Sequence, residues 1–289
     1  MLNRVAGAPI SWGVCEVPGW GHQMSADRVL GEMREAGLVA TEFGPEGFLP
    51  AEPQAKADRL AAARLSAVGG FVPVVLHDPD LDLRATLLPT LESFVAARAG
   101  TLVLSADAGA AGYDERVELD DPAWRVLFDN LDRIGDLAGE RGVTATLHPH
   151  VGTVVERTPE VERVLEGAAL PLCLDTGHLL IGGTDPAALA REVPGRVAHV
   201  HLKDVDAALA DRVRNAELTY TEAVARGLYR PLGQGDVDIA GIVRSLEGAG
   251  YQGWYVMEQD TILDAEPAPG EGPLAAVQSS LDYLKGLQA

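Results

Sequence analysis

Short apolar runs rich in β-branched residues recur along the chain, and longer stretches with apolar positions at helical spacing lie between them. The runs fall near 5–13 (VAGAPISWG), 39–44 (VATEFG), 71–77 (FVPVVLH) and 100–106 (GTLVLSA). Four more follow near 143–150 (VTATLHPH), 170–176 (LPLCLDT), 197–203 (VAHVHLK) and 253–260 (GWYVMEQD). They hardly alternate between apolar and polar until their last residues, which is the pattern of parallel strands covered on both faces. Ser25 opens a helix that Gly37 closes, and further helices are predicted near 53–68, 84–99, 121–141, 158–168, 185–191, 238–248 and 273–287. Asp121-Pro122, Thr158-Pro159 and Asp185-Pro186 each set a capping side chain before a proline in the first turn.

Eight strand–helix pairs in 289 residues predict an α/β fold, a single (β/α)8 TIM barrel spanning 1–289. The rival, an open doubly wound sheet, calls for a glycine-rich phosphate loop after the first strand, and ISWGVCEVPGWG lacks that spacing. The longest interruption, 204–237, follows the seventh strand and contains helical pieces of its own before the turn-rich RPLGQGDVD. An insertion there lies at the C-terminal mouth, where barrel enzymes bind substrates. Its arginines, Arg212, Arg214, Arg226 and Arg230, suit it to cover a bound ring or to contact a neighbouring subunit.

Composition narrows the function. The net charge of −20 works against nucleic-acid binding, which depends on Lys and Arg displacing counterions. Two cysteines, Cys15 and Cys173, make no disulfide framework and point to a reducing compartment. The start of the chain lacks the apolar run of a signal peptide, and no uncharged stretch is long enough to cross a membrane. The expectation is a cytoplasmic protein with no membrane or nucleic-acid partner.

In a barrel, chemistry sits at the C-terminal ends of the strands. Those ends hold Glu42; His77 and Asp78; His148 and His150; Asp175 and His178; His199, His201 and Lys203; and Glu258, Gln259 and Asp260. Six of the seven histidines are in this set, all but His22. Each residue also has a plain structural reading: Asp175 as a cap for the next turn, His199 and Cys173 as core, Trp12 and Trp20 as core or rim packing. Gathered in one mouth, buried carboxylates and imidazoles are costly unless they pair or bind an ion. Asp, His and Glu donors suit Mn²⁺, Co²⁺, Mg²⁺ or Fe²⁺, whereas structural Zn²⁺ usually recruits Cys.

The segments APISWG (8–13), LHPHVGTVVER (147–157), CLDTGHLLIGGTDP (173–186), HVHLKDV (199–205) and GQGDVD (233–238) resemble the xylose-isomerase-like barrel superfamily. That superfamily holds sugar isomerases and epimerases and the family 2 AP endonucleases, and within it the closest resemblance is to the inosose dehydratase family. The combination is specific, whereas DTGH alone is shared by many relatives.

The resemblance implies a divalent metal, Mn²⁺ or Co²⁺ first and Mg²⁺, Fe²⁺ or Zn²⁺ otherwise, held by Asp175, His201 and Glu258. The superfamily's remaining Glu position falls on His148, so the fourth ligand is His148 or Glu156. It further implies His150, His178 and Lys203 on the substrate side, with Glu42, His77, Glu156 and Trp12 toward a small keto-cyclitol or sugar. The implied reaction is dehydration of 2-keto-myo-inositol (scyllo-inosose) to a trihydroxycyclohexanedione. Glu258 or His150 would act as base and His178 or Lys203 as acid, with Lys203 beside a cation an alternative base. An isomerase or epimerase using the same metal-bound enolate is the alternative reaction, and a homodimer or homotetramer is the implied assembly.

Overall fold

A computed structural model describes residues 1–110 and 112–287. Among the described residues ten strands form: β1 (Val5–Gly7), β2 (Ala40–Glu42), β3 (Ser66–Val74), β4 (Thr101–Ala106), β5 (Thr144–Leu147), β6 (Leu172–Asp175), β7 (Val197–Leu202), β8 (Asp204–Val205), β9 (Tyr229–Arg230) and β10 (Tyr255–Met257). Eight of them close into a parallel barrel in the order β1-β10-β7-β6-β5-β4-β3-β2. β8 and β9 pair antiparallel outside it. Every residue of β1, β2, β4, β6 and β10 is buried, as continuous apolar runs between barrel interior and helical coat require. Among the described residues no helix is long and apolar enough to cross a membrane.

Two strands differ from the sequence pattern in ways that matter for the site. β3 begins at Ser66, five residues earlier than its apolar run, because Gly69 and Gly70 weaken the strand signal. Gly69 is needed there, since a Cβ would stand 2.5 Å from the Thr101 carbonyl oxygen. β1 stops at Gly7, and the chain turns into a 3₁₀ helix over Pro9–Trp12. Bulges shift the register between β2 and β3 at Thr41/Glu42 and between β6 and β7 at Leu172/Cys173. The second pairs Cys173 with His199 and Asp175 with His201, the kind of local re-aiming that bulges perform beside active sites.

The helical coat largely follows the expected boundaries. Ser25 accepts from Arg28 N, and Gly37 closes that helix in the left-handed region at φ 94°. Asp185 and Asp238 cap as expected. Asp120 rather than Asp121 caps Asp121–Gly139, which leaves Pro122 at the second helical position. Thr158 begins its helix instead of capping it; the Glu160 carboxylate takes the backbone N–H groups of Glu156 and Arg157.

A helix absent from the expectation, Thr176–Gly182, follows β6 directly. It is short and glycine-rich, so little in its own sequence announces it. Asp175 starts it by accepting from Gly177 N and His178 N. Gly177 lets it pack close, because a Cβ would meet Lys203 Cβ at 2.7 Å.

The insertion 204–237 is a folded unit: β8 and β9 clamp its ends, and helices Ala207–Arg214 and Tyr220–Ala225 lie between them. Fully buried Asp204 organises the return, accepting from the backbone N–H groups of Val205, Gly233, Gly235 and Val237. This ties the KDV segment to GQGDVD. Arg212, Arg214, Arg226 and Arg230 pair with Glu217, Asp211, Glu222 and Asp206 inside the insertion and do not line the barrel mouth.

Candidate active site

A cavity of about 560 Å³ opens at the C-terminal end of the barrel. Its polar wall is made by Glu42 at the end of β2, His148 and His150 after β5, His201 and Lys203 at the end of β7, and Glu258 and Asp260 after β10. Asp175 and His178 stand immediately behind this wall, fully buried. Strand ends thus bring most of the expected residues together.

Asp175 divides its carboxylate between two tasks. Oδ1 caps the helix after β6, while Oδ2 lies 3.1 Å from His148 Nε2, 3.6 Å from His201 Nδ1 and 3.5 Å from Lys203 Nζ. The cap expected of this residue is present, and the same carboxylate reaches the polar cluster with its other oxygen. Nδ1 of His201 also lies 3.1 Å from Glu258 Oε2. Lys203 Nζ completes the cluster at 2.8 Å from Asp260 Oδ1, 3.2 Å from Glu258 Oε2 and 3.0 Å from His178 Nε2.

Burial alone would push the Lys203 pKa down, but Asp175, Asp260 and Glu258 outweigh it and hold the ammonium well above the ordinary lysine value. Burial would likewise raise Asp175, yet Lys203 and the surrounding imidazoles keep it well below the usual carboxylate range. The lysine is a cation set among anions here.

His150 has a defined tautomer. Its Nδ1 is 2.7 Å from the Val151 carbonyl oxygen, which only accepts, so Nδ1 carries the hydrogen and Nε2 keeps a lone pair. Its ring packs on His178 and Tyr113 at centroid distances of 3.7 and 4.3 Å. His178, expected on the substrate side, stands behind His150 and Lys203 instead.

Three other expectations need correction. Trp12 lies outside the cavity, fully buried, and donates from Nε1 to Glu32 on helix Ala26–Ala36; the 3₁₀ turn swings it off the strand's face. Glu156 also lies outside, its carboxylate taken by Gly152 N at 2.9 Å and Arg116 at 3.4 Å. His77 is half-buried in the loop three residues past β3 and does not line the cavity; the peptides on either side of it are tied to Asn130 of an outer helix.

The structure adds Tyr113 and Tyr220, which the sequence did not single out, to the cavity lining, and places Trp20 there as well. Tyr220, from the insertion, donates to Asp260 Oδ2 at 2.6 Å and lies 3.0 Å from the Tyr229 hydroxyl. Tyr113 donates across the mouth to Glu16. Asp260 was legible through alternation, two residues beyond Glu258, whereas nothing local marks Tyr220.

Several sets of donor atoms could hold an ion: Asp175, His201 and Glu258; His148, Asp175 and His178; His148, Cys173 and His201; and Glu42, His199 and His201, each with its atoms within 4.8 Å of one another. The first fits a divalent ion best. Its donors are two carboxylates and an imidazole, and buried His201 Nδ1 has no hydrogen-bond partner among the described residues despite its two close carboxylates. Cys173 is core as expected, and burial pushes its thiol up to about 11. Glu156 belongs to none of the sets.

The burial of so many imidazoles has a measurable consequence. Burial pushes His148, His150, His178 and His199 below the ordinary 6.5, whereas His201 is raised because Cys173, Glu258 and Glu42 outweigh its burial. The first four stay neutral when folded but take up protons on unfolding once the pH falls below 6.5. The unfolded state then binds more protons and stability declines with acidification, opposed by His201 and, toward the acid end, by the burial-raised carboxyls of Asp260 and Glu156. The urea midpoint of chelator-treated protein is expected to fall steadily from about pH 7.5 to about pH 5.5; a flat or rising midpoint would contradict the buried neutral cluster.

The chain matches the model of the xylose isomerase-like TIM barrel family over residues 22–287. It is 31% identical over 302 residues to an inosose dehydratase of Geobacillus kaustophilus (strain HTA426), covering 98% of this chain and 94% of that one. It is 32% identical over 272 residues to the rhizopine catabolism protein MocC of Rhizobium meliloti, covering 90% and 82%. Among solved structures, the IOLI protein with a bound zinc atom superposes with a TM-score of 0.68 at 13% identity, covering 98% of this chain and 97% of that one. L-ribulose 3-epimerase superposes at 0.67 and 16%, covering 99% of this chain and 94% of that one. On the match over 22–287 and the similarity across nearly the whole chain, the protein is an inosose-dehydratase-like member of the xylose isomerase-like TIM-barrel family.

Proposed function

We propose that the protein is a metal-dependent hydro-lyase that dehydrates a keto-cyclitol of the scyllo-inosose class to a trihydroxycyclohexanedione. The observation that carries this reading is the Asp175–His201–Glu258 set beside the Lys203 ammonium, with His201, Glu258 and Lys203 lining one cavity and Asp175 directly behind them. The inosose dehydratase relatives support the substrate class. Asp175, His201 and Glu258 would hold the ion, with His148 the nearer candidate for a fourth ligand. A divalent ion such as Mn²⁺ or Co²⁺ held there would supply Lewis-acid polarisation of the substrate ketone.

The chain's own groups divide the proton work. Nε2 of His150, a neutral imidazole nitrogen with a free lone pair, takes the proton α to the ketone. Lys203, held as an ammonium by three carboxylates, gives a proton to the β-hydroxyl as it leaves as water. His178 orients Lys203 from behind, and Asp260 holds both Lys203 and Tyr220. Tyr113, Trp20 and Tyr220 narrow the mouth and restrict water around the enolate.

The test is mass spectrometry of scyllo-inosose after incubation with enzyme and Mn²⁺ in D₂O. Loss of one water from the substrate is expected. Deuterium uptake without water loss would replace this reading with the isomerase or epimerase alternative, and no change would exclude the substrate.

A further inference from the structure

A single oxygen, Glu42 Oε1, lies 2.8 Å from His199 Nε2 and 3.0 Å from His201 Nε2. All three side chains are buried. An ionised carboxylate only accepts, so each Nε2 carries its hydrogen and points it at Glu42. The opposite nitrogen of His201 faces Asp175 and Glu258. One ring therefore joins two groups of carboxylates, with Glu42 on one edge and the candidate ion-binding set on the other.

Burying a carboxylate this deeply is costly unless it is paired and hydrogen-bonded. Among the described residues Glu42 pairs with neither Lys nor Arg, so the two imidazole N–H groups are what satisfy its carboxylate. The register shifts described above are what bring them there: one at Thr41/Glu42 and one that sets His199 and His201 against β6.

We infer that Glu42 is a positioning residue for His201, fixing its ring orientation and hydrogen placement so that Nδ1 completes the Asp175–His201–Glu258 set, while His199 holds the carboxylate from one layer deeper. This rests on the reading of that set as a divalent-ion site. Outer carboxylates that accept from the far nitrogen of a ligating imidazole raise its basicity and lock its geometry. The role differs from the substrate contact that a position at the barrel mouth first suggests for Glu42.

Direct titration of chelator-stripped protein with Mn²⁺, following the free ion by electron paramagnetic resonance, separates the two roles. Glu42→Gln keeps an acceptor but loses the charge, and is expected to weaken Mn²⁺ binding about 10-fold; Glu42→Leu removes both and is expected to weaken it about 100-fold. Circular dichroism of the stripped variants checks that each remains folded, and Glu42→Gln, nearly the same shape, keeps the test valid if Glu42→Leu does not fold. A Glu42→Gln protein that binds Mn²⁺ within about twofold of the parent while its KM rises would overturn the inference in favour of substrate contact. A parent protein that binds no Mn²⁺ would overturn both the ion-site reading and the role of Glu42.

Discussion

Asp175→Asn is expected to lower turnover of scyllo-inosose by about 10³-fold while leaving the barrel folded. The asparagine carbonyl oxygen can keep the cap on Gly177 N and His178 N, which the Oδ1 atom of Asp175 now supplies. The amide NH₂ then takes the place of Oδ2, turning a donor toward the Lys203 ammonium and removing one ion ligand. Local structure survives and the polarity of the site inverts. Circular dichroism should match the parent, and Mn²⁺ titration should show affinity largely lost. A variant that binds metal as tightly as the parent would remove Asp175 from the ion site, one that is active without metal would contradict the metal dependence, and an unfolded one would mean the cap, not the ligand, is what matters.

Lys203→Met should separate metal binding from turnover. Methionine keeps most of the buried stem but removes the charge. Turnover is expected to fall by about 10²–10⁴-fold through loss of the acid. Without metal, the variant should be less stable by about 3–5 kcal/mol, because Asp175, Glu258 and Asp260 lose their shared buried cation. Mn²⁺ affinity should rise, since the ammonium contacts the Asp175 and Glu258 oxygens that an ion would use. Urea unfolding with and without Mn²⁺ measures both effects. Weaker Mn²⁺ binding in the variant would show that Lys203 supports the ion rather than competing with it.

Much of this was legible because parallel barrel strands are apolar along their length and polar only where they emerge. His148, His150, Asp175, His201, Lys203 and Glu258 all stood out by that contrast, and the structure brings them together. The misreadings arose where backbone geometry departed from a regular strand. Trp12 left the wall because Pro9–Trp12 turns as a 3₁₀ helix, and His77 left it because β3 ended at Val74. Glu156 was claimed by Arg116, a partner 40 positions away that no local pattern reveals. Tyr220 and Tyr229 reach the site only because Asp204 folds the insertion back on itself, a long-range arrangement with no period in the sequence. His199, read as core, is indeed buried, but it is also bonded to Glu42.

The most direct test of the account is turnover of scyllo-inosose by protein stripped with chelator and dialysed, measured before and after one equivalent of Mn²⁺ is added. The account predicts no water loss from the stripped protein and recovery on addition of the ion. Undiminished dehydration by protein shown to be metal-free would contradict it.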